Sequence, residues 1–425
     1  MRPVIVVERD EEAPGLASGL QTGTAFATGL CALLAFAVLA FGAVEPWATF
    51  GLQVGAVTLL LAWCLWQWTQ PEIRIHPHPL LLPCLAFAGV VLLQLMAGSS
   101  FYAQTTRNLA LLYGAYFVLL FITTQVSRGS RELERIAIAF SVFGFLLAVF
   151  ALIQDFTSHG LLYWYRQPRF GGSIFGPYVN RNHYAGIMEL LTPFPLLLAL
   201  SPRFEPLQRS LFGFMAVICG ASVFMSGSRG GSLAFLAQCL FLSLMTLTRR
   251  RKHTLQIGIL VFIIAVVGAM YWLDASAAMQ RWTQVKDELS GGRVDITRDA
   301  VRMWRERPVL GFGLGSFPHA YPHYRSFYTD RYVNQAHNDY AQLLVETGVL
   351  GAGAMMWFIV ALYRPAFGRR RDPRHDVGAA VRLAALTGCT GILVHSLVDF
   401  NLQIPANAAM FYVCAAISSQ EGEQS

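Results

Sequence analysis

The 425-residue chain is 55% hydrophobic and only 13% charged, where soluble domains carry about a quarter charged residues, so its solvent is the bilayer. A net charge of +7 would raise nucleic acid as a partner, but the basic residues stand in short clusters between apolar runs. They read as topology signals and exclude a polyanion groove. The seven cysteines (Cys31, Cys64, Cys84, Cys219, Cys239, Cys389 and Cys414) all fall inside apolar stretches without metal-ligand spacing, which excludes a disulfide framework.

The first two dozen residues are polar and partly acidic (Glu8, Asp10, Glu11, Glu12), a cytoplasmic tail ahead of a retained first helix. Apolar runs near the length needed to cross the hydrocarbon follow at about 24–44, 51–69, 79–97, 108–126, 134–154, 183–201, 209–226, 231–248, 255–273, 340–363, 377–398 and 402–418, about twelve spans in all. With the N-terminus inside, the inner loops hold Arg128, Arg131 and Arg135, then Arg203 and Arg209, then Arg249 to Lys252, then Arg364, Arg369 to Arg371 and Arg374. This satisfies the positive-inside rule and puts both termini in the cytoplasm.

Two longer polar stretches then lie outside, at about 155–182 and 274–339, and the larger is expected to carry function. Within it, Asp295 to Arg307 has helical spacing, Pro308 breaks it, and a glycine-rich turn Gly311-Phe-Gly-Leu-Gly-Ser316 follows. Aromatic residues come next (Phe317, Tyr321, Tyr324, Phe327, Tyr328, Tyr332), suited to stacking on sugar rings or to the membrane interface. The simplest reading is a small amphipathic cap over a membrane cavity. The glycine string follows no predicted strand and lies on the wrong side for a nucleotide, so a dinucleotide site is not expected.

Ionisable groups at span ends are costly and so mark candidate chemistry. Arg229, at the tip of Ser226-Gly-Ser-Arg-Gly-Gly231, is placed to hold a diphosphate or to snorkel to headgroups. Arg293, Arg298, Arg302 and Arg305 form either an anion site or a solvated face balanced by Asp295, Asp299 and Glu306. His337 stands at a helix start, where its near-neutral pKa suits proton acceptance from a sugar hydroxyl, while Asn338 and Asp339 have a plain capping role open to them. The run from His395 through Asp399, Asn401 and Gln403 to Asn407 either orients His337 or an arginine, or is ordinary turn chemistry.

Val179-Asn-Arg-Asn182-His-Tyr-Ala-Gly186, Ser226-Gly-Ser-Arg229-Gly, Gly292-Arg293 with Pro308 and Gly311-Phe-Gly313, His337-Asn-Asp339 through Glu346-Thr-Gly348, and Asp399-Phe-Asn401 together resemble the O-antigen ligase and O-antigen polymerase superfamily of bacterial membrane glycosyltransferases, over about residues 175–410. The resemblance implies an all-α polytopic membrane protein, GT-C-like, in the bacterial inner membrane: one transmembrane domain over 1–425, with a large periplasmic loop at 274–339 containing short helices, inserted between spans 9 and 10. It implies a metal-independent, inverting transfer of a glycan from undecaprenyl diphosphate to an acceptor hydroxyl on the periplasmic face, with no cofactor. Carried onto this sequence, Arg229 and Arg293 bind the diphosphate, Arg298 is a further helper, and His337 is the general base. Asn182, Asp339 and Asp399 are read as orienting residues.

The acceptor expected first is lipid A-core, with a growing O-antigen or exopolysaccharide repeat as the alternative and a protein hydroxyl after that. A polysaccharide transporter or flippase would place its site at broken helices near the midplane, with repeats between halves. Here the ionisable residues gather on one face.

Overall fold

The computed structural model describes residues 4–6, 16–168, 172–247, 252–273, 292–329, 332–367 and 376–420. Among these the regular structure is helical apart from one short parallel pairing of Val4–Val6 with Glu72–Arg74 and three isolated bridges between 162 and 180. The helices are α1 (Leu16–Leu39), α2 (Pro46–Trp68), α3 (Leu81–Met96), α4 (Ala103–Val126), α5 (Ser130–Thr157), α6 (Arg181–Leu191), α7 (Pro193–Ala199), α8 (Pro206–Met225), α9 (Arg229–Leu247), α10 (Lys252–Trp272), α11 (Arg293–Glu306), α12 (Phe317–Ala320), α13 (Asp339–Tyr363), α14 (Val377–His395) and α15 (Pro405–Ser418). Eight are long and apolar enough to cross a membrane, and Gly23–Leu39, Leu81–Met96 and Pro405–Ser418 are shorter apolar helices. Of the expected outer loop, 274–291, 330 and 331 lie outside the described residues.

Burial sorts the helices into centre and rim. The apolar stretch of α14 is 83% buried, against 22% for those of α2 and α10, so α14 forms the middle of the bundle and the other two present leucine and valine to lipid. It is lined by α9, α15, α6, α7 and α5, and every residue of α15 is buried. α14 is rich in alanine and glycine and α15 in alanine, which lets backbones approach closely where no water drives helix association. At Gly388 the neighbouring backbone is so near that a Cβ would lie 2.9 Å from the Leu190 carbonyl.

The apolar run 183–201, expected as one span, is two helices interrupted at Thr192. The cause is local: Pro193 has no N–H to give the carbonyl four residues back, which is that of Glu189. An unsatisfied carbonyl is costly in a bilayer. Gln238 of α9 supplies the missing donor, its Nε2 lying 2.7 Å from the Glu189 carbonyl and 3.1 Å from that of Thr387, and so ties α6, α9 and α14 together.

The run 340–363 is likewise not one uninterrupted helix. At Gly348 the backbone of α13 takes φ 61°, ψ −166°, a region open essentially to glycine alone. The groups freed by the break are bonded by the segment after α11. Phe312 and Gly313 donate to the carbonyls of Val345 and Glu346 at 2.9 Å each, and Val349 donates to the Pro308 carbonyl at 2.8 Å. The Glu346 carboxylate accepts from the Gly315 and Phe317 amides at 2.8 and 3.3 Å. Gln94 of α3 reaches in from the other side, giving Nε2 to the Leu310 and Glu346 carbonyls. The glycine string is therefore a plug for a broken helix: Gly311 lies against the α13 backbone, where a Cβ would fall 2.5 Å from the Val345 carbonyl, while Gly313 and Gly315 pack against Ser100 and against Thr105 and Leu109.

This plug carries the cap. Ile296, Ala300 and Met303 of α11 pack with Phe312, Phe317, Tyr321, Ala336 and Val345 in a small separate core, so the amphipathic helix expected at 295–307 is seated on α13 by its apolar face. Gly348→Ala is expected to lose more than about 2 kcal/mol of stability, since the strained backbone alone is worth about 1–3 kcal/mol and the new Cβ would lie 2.2 Å from the Val309 carbonyl. Thermal unfolding of the purified protein in detergent, Gly348→Ala against wild type, measures it.

Candidate active site

The site is assembled around the turn joining α14 to α15. Asp399, buried to 1% exposure, sits in that turn and draws groups from four parts of the chain. Its carboxylate accepts from the Asn182 side chain of α6 and from the Phe400 amide at 2.9 Å. Arg293 Nη2 stands 3.9 Å away and His337 Nδ1 3.6 Å away. Burial pushes the Asp399 carboxyl up, but the His337 ring and the charges of His183, His395 and Arg293 outweigh it and hold the group well below the usual carboxylate range.

Each partner is held by local structure. Asn182 sits in the first turn of α6, where the Asn180 side chain caps the helix by accepting from the Asn182 amide at 2.9 Å. Arg293 opens α11 and also donates to the Val398 carbonyl at 3.2 Å. His337 precedes Asn338, whose side chain caps α13 through the Ala341 amide at 2.9 Å and donates to the Leu397 carbonyl at 3.0 Å. Asp339 does not cap the helix. Its carboxylate accepts from Ser396 Oγ at 2.7 Å, the Leu402 amide at 3.0 Å and Gln403 Nε2 at 3.2 Å, which fixes the start of α13 to the turn carrying Asp399.

His337 itself adopts φ 53°. A non-glycine residue in the left-handed region costs about 1–3 kcal/mol and persists only where its surroundings over-determine it. Here the neighbouring Ala336 amide is held by Gln342 Oε1 at 2.9 Å, and the ring packs edge-on against Phe400 at 4.8 Å. Its Nδ1 faces Asp399, so Nε2 is the nitrogen turned away from the carboxylate and suited to accept a proton. An imidazole that gains a proton there has a buried anion beside it.

The two arginines arrive differently. Arg229 begins α9, after a turn in which the Ser228 hydroxyl accepts from the Gly231 amide at 3.1 Å. The next residue, Gly230, packs against His395 and Val398, so the Arg229 turn meets the residue whose carbonyl Arg293 binds. Arg298 is not brought into the cluster. It lies on the exposed face of α11, paired with Asp295 at 3.1 Å.

Sequence reasoning passed over three residues here. Phe400 lies between two imidazoles, those of His337 and His183, at 4.8 and 4.7 Å. His183 is buried on α6, where it also meets Asn180 at 3.2 Å. Glu189, on the same helix, contacts His395 at 2.7 Å with both side chains fully buried. A glutamate inside an apolar run was the available signal for the last of these. Beneath Asp339 an apolar cavity of about 210 Å³ opens among α4, α13, α14 and α15, lined in part by Tyr113, Leu343, Met355, Leu402 and Tyr412.

Residues 214–356 match a family model described as O-antigen ligase. That segment contains Arg229, Arg293, Arg298, His337 and Asp339, whereas Asn182 and Asp399 fall outside it. No curated protein matches the chain.

Because Asp399 ionises more readily folded than unfolded, it contributes stability that is fully present above the ordinary carboxylate pKa and is lost as pH falls toward the lowered value. Asp399→Asn is expected to be about 1–3 kcal/mol less stable than wild type at neutral pH, with the gap closing below about pH 4. Thermal unfolding of both proteins from pH 3 to pH 8 tests this, and a gap that widens on acidification would contradict it.

Proposed function

We propose, from the premise that the chain carries a domain of the O-antigen ligase and polymerase superfamily, that this membrane glycosyltransferase moves a glycan from undecaprenyl diphosphate to an acceptor hydroxyl on the periplasmic face. The acceptor is lipid A-core, in keeping with the ligase description of the matched family. The observation carrying the reading is the meeting of His337, Asp399 and Arg293 at one turn, with the Arg229 turn packed beside it.

In the reaction, His337 Nε2 takes the proton of the acceptor hydroxyl as its oxygen bonds to the anomeric carbon. The bond from that carbon to the diphosphate oxygen breaks, and its electron pair leaves with the diphosphate. Attack opposite the leaving group inverts the anomeric centre. Arg229 and Arg293 bind and neutralise the diphosphate from the donor complex onward, since planar guanidinium groups hold phosphate oxygens in pairs, and Arg293, beside Asp399, also meets the charge that develops as the group leaves. With that charge held, positioning and electrostatics carry the rate, and neither metal nor cofactor is required of the mechanism.

Asp399 keeps His337 in the tautomer with its lone pair on Nε2 and steadies the imidazolium once formed. Its low pKa means that it stays ionised and does not compete for the proton. Asn182 and Asp339 hold Asp399 and its turn in place, and Arg298, paired with Asp295, is at most a secondary cation at the rim. The apolar cavity beside Asp339 suits the hydrocarbon of a lipid substrate.

Reconstitution with purified undecaprenyl diphosphate-linked glycan and lipid A-core is expected to release undecaprenyl diphosphate and give a glycosylated core, at the same rate with EDTA present. His337→Ala should lower kcat about 10²–10⁴-fold, and Arg293→Ala or Arg229→Ala should lower kcat/KM about 10²-fold or more. Full activity of His337→Ala would sink the mechanism. Elongated glycan with no transfer to the core would make the protein a repeat-unit polymerase.

A further inference from the structure

Two buried ionisable groups remain that the proposed chemistry does not use. Glu189 and His395 are both fully enclosed, with Oε1 and Nδ1 2.7 Å apart. Each keeps one buried polar atom, Glu189 Oε2 and His395 Nε2, without a hydrogen-bond partner among the described residues. An acid–base pair inside a membrane bundle is often no more stabilising than a hydrophobic replacement, so ionisable residues at such depth point to a function.

The pair's surroundings are specific. Glu189 follows Asn182 on α6 by seven residues, two helical turns, so both lie on one face. That face meets α14 and its following turn at two matching places, Asn182 at Asp399 and Glu189 at His395. The rungs are joined, because the Asp399 and Val398 amides donate to the His395 carbonyl at 3.1 and 3.0 Å. On its other side the His395 ring lies against the glycine that follows Arg229. A Cβ on Gly230 would fall 2.6 Å from His395 Nε2, 2.7 Å from its Cδ2 and 3.1 Å from Val398 Cγ2. His395 is thus the side chain through which the Arg229 turn is referred to the turn bearing Asp399.

We infer that His395 and Glu189 are positioning residues for donor binding: the pair fixes one imidazole orientation, and that ring sets the distance of Arg229 from Arg293 and His337. This rests on the assignment of Arg229 to the diphosphate. A tilted His395 ring would displace the start of α9 without touching the proton acceptor. The consequence falls on donor affinity, because two guanidinium groups hold one diphosphate well only at a fixed spacing.

The test uses the full-length protein with undecaprenyl diphosphate-linked glycan as donor. In His395→Gln and Glu189→Gln, donor KM is expected to rise about tenfold while kcat stays within about threefold of wild type and its pH profile does not move. Gly230→Ala, which forces the ring aside from the Arg229 turn, should do the same, and Gly230→Ala with His395→Gln should be no worse than either alone. Unchanged donor KM in these folded variants, additive effects in the double variant, or a shifted kcat pH profile would each overturn the inference. If His395→Gln and Glu189→Gln do not fold, Gly230→Ala decides alone; failure of all three to fold makes the pair mere scaffold and overturns it as well. Arg229→Ala run in parallel separates the two readings: unchanged donor KM there removes the diphosphate assignment itself, whereas an effect there with none in the other variants removes only the role of His395 and Glu189.

Discussion

A carboxylate buried in a membrane protein is stable only if positive charge and hydrogen-bond donors are brought to it, and the arrangement around Asp399 is the answer to that requirement. Asn182, Arg293, His337 and the Phe400 amide arrive from α6, the cap, the foot of α13 and the turn itself. None of these elements is a sequence neighbour of all the others. The burial that would neutralise the acid is what compels the polar groups to meet, so the geometry of the candidate site follows from a solvation demand.

A second demand is made by the backbone. Peptide groups at membrane depth must find partners within the protein, and the chain meets this at both of its interrupted helices with a distant segment. Gln238 attends to the carbonyl that Pro193 leaves open, and residues 308–317 with Gln94 attend to the break at Gly348. The second repair also seats α11, and with it Arg293, beside His337. Backbone satisfaction and placement of a guanidinium are thus one structural event. A broken helix is also the hallmark of many transporter sites, but here the gap is filled by the protein's own polypeptide.

Much of this was legible from residue order. Apolar length marked where the helices lie, though not the breaks at Thr192 and Gly348, and the cost of charge at span ends singled out Arg229, Arg293, His337 and Asp399; Arg293 and His337 each stand within ion-pair reach of Asp399. What residue order could not give was pairing at long range. Asn182 and Asp399 are 217 positions apart, and nothing in either segment names the other. Arg298 shares a helix and a charge with Arg293, yet five residues turn it to the opposite side, where Asp295 takes it. Glu189 was hidden by its apolar neighbours, and Gly348 by the fact that glycine is tolerated in membrane helices and marks a break only when another backbone comes to meet it. The glycine string could be denied a nucleotide on local grounds, but its true contact lies on α13.

The helix beginnings at the site carry one more consequence. Asn182, Arg229, Arg293 and Asp339 stand in the first turns of α6, α9, α11 and α13, and all four turns contact the stretch from His395 to Leu402. Each helix begins there, so the positive ends of four peptide dipoles lie close to that stretch. Unlike an imidazole, a dipole has no proton to lose, and unlike a guanidinium it has no side chain to swing away. At the turn bearing Asp399 the arginines are therefore joined by a favourable contribution that does not titrate, set against the buried carboxylates there.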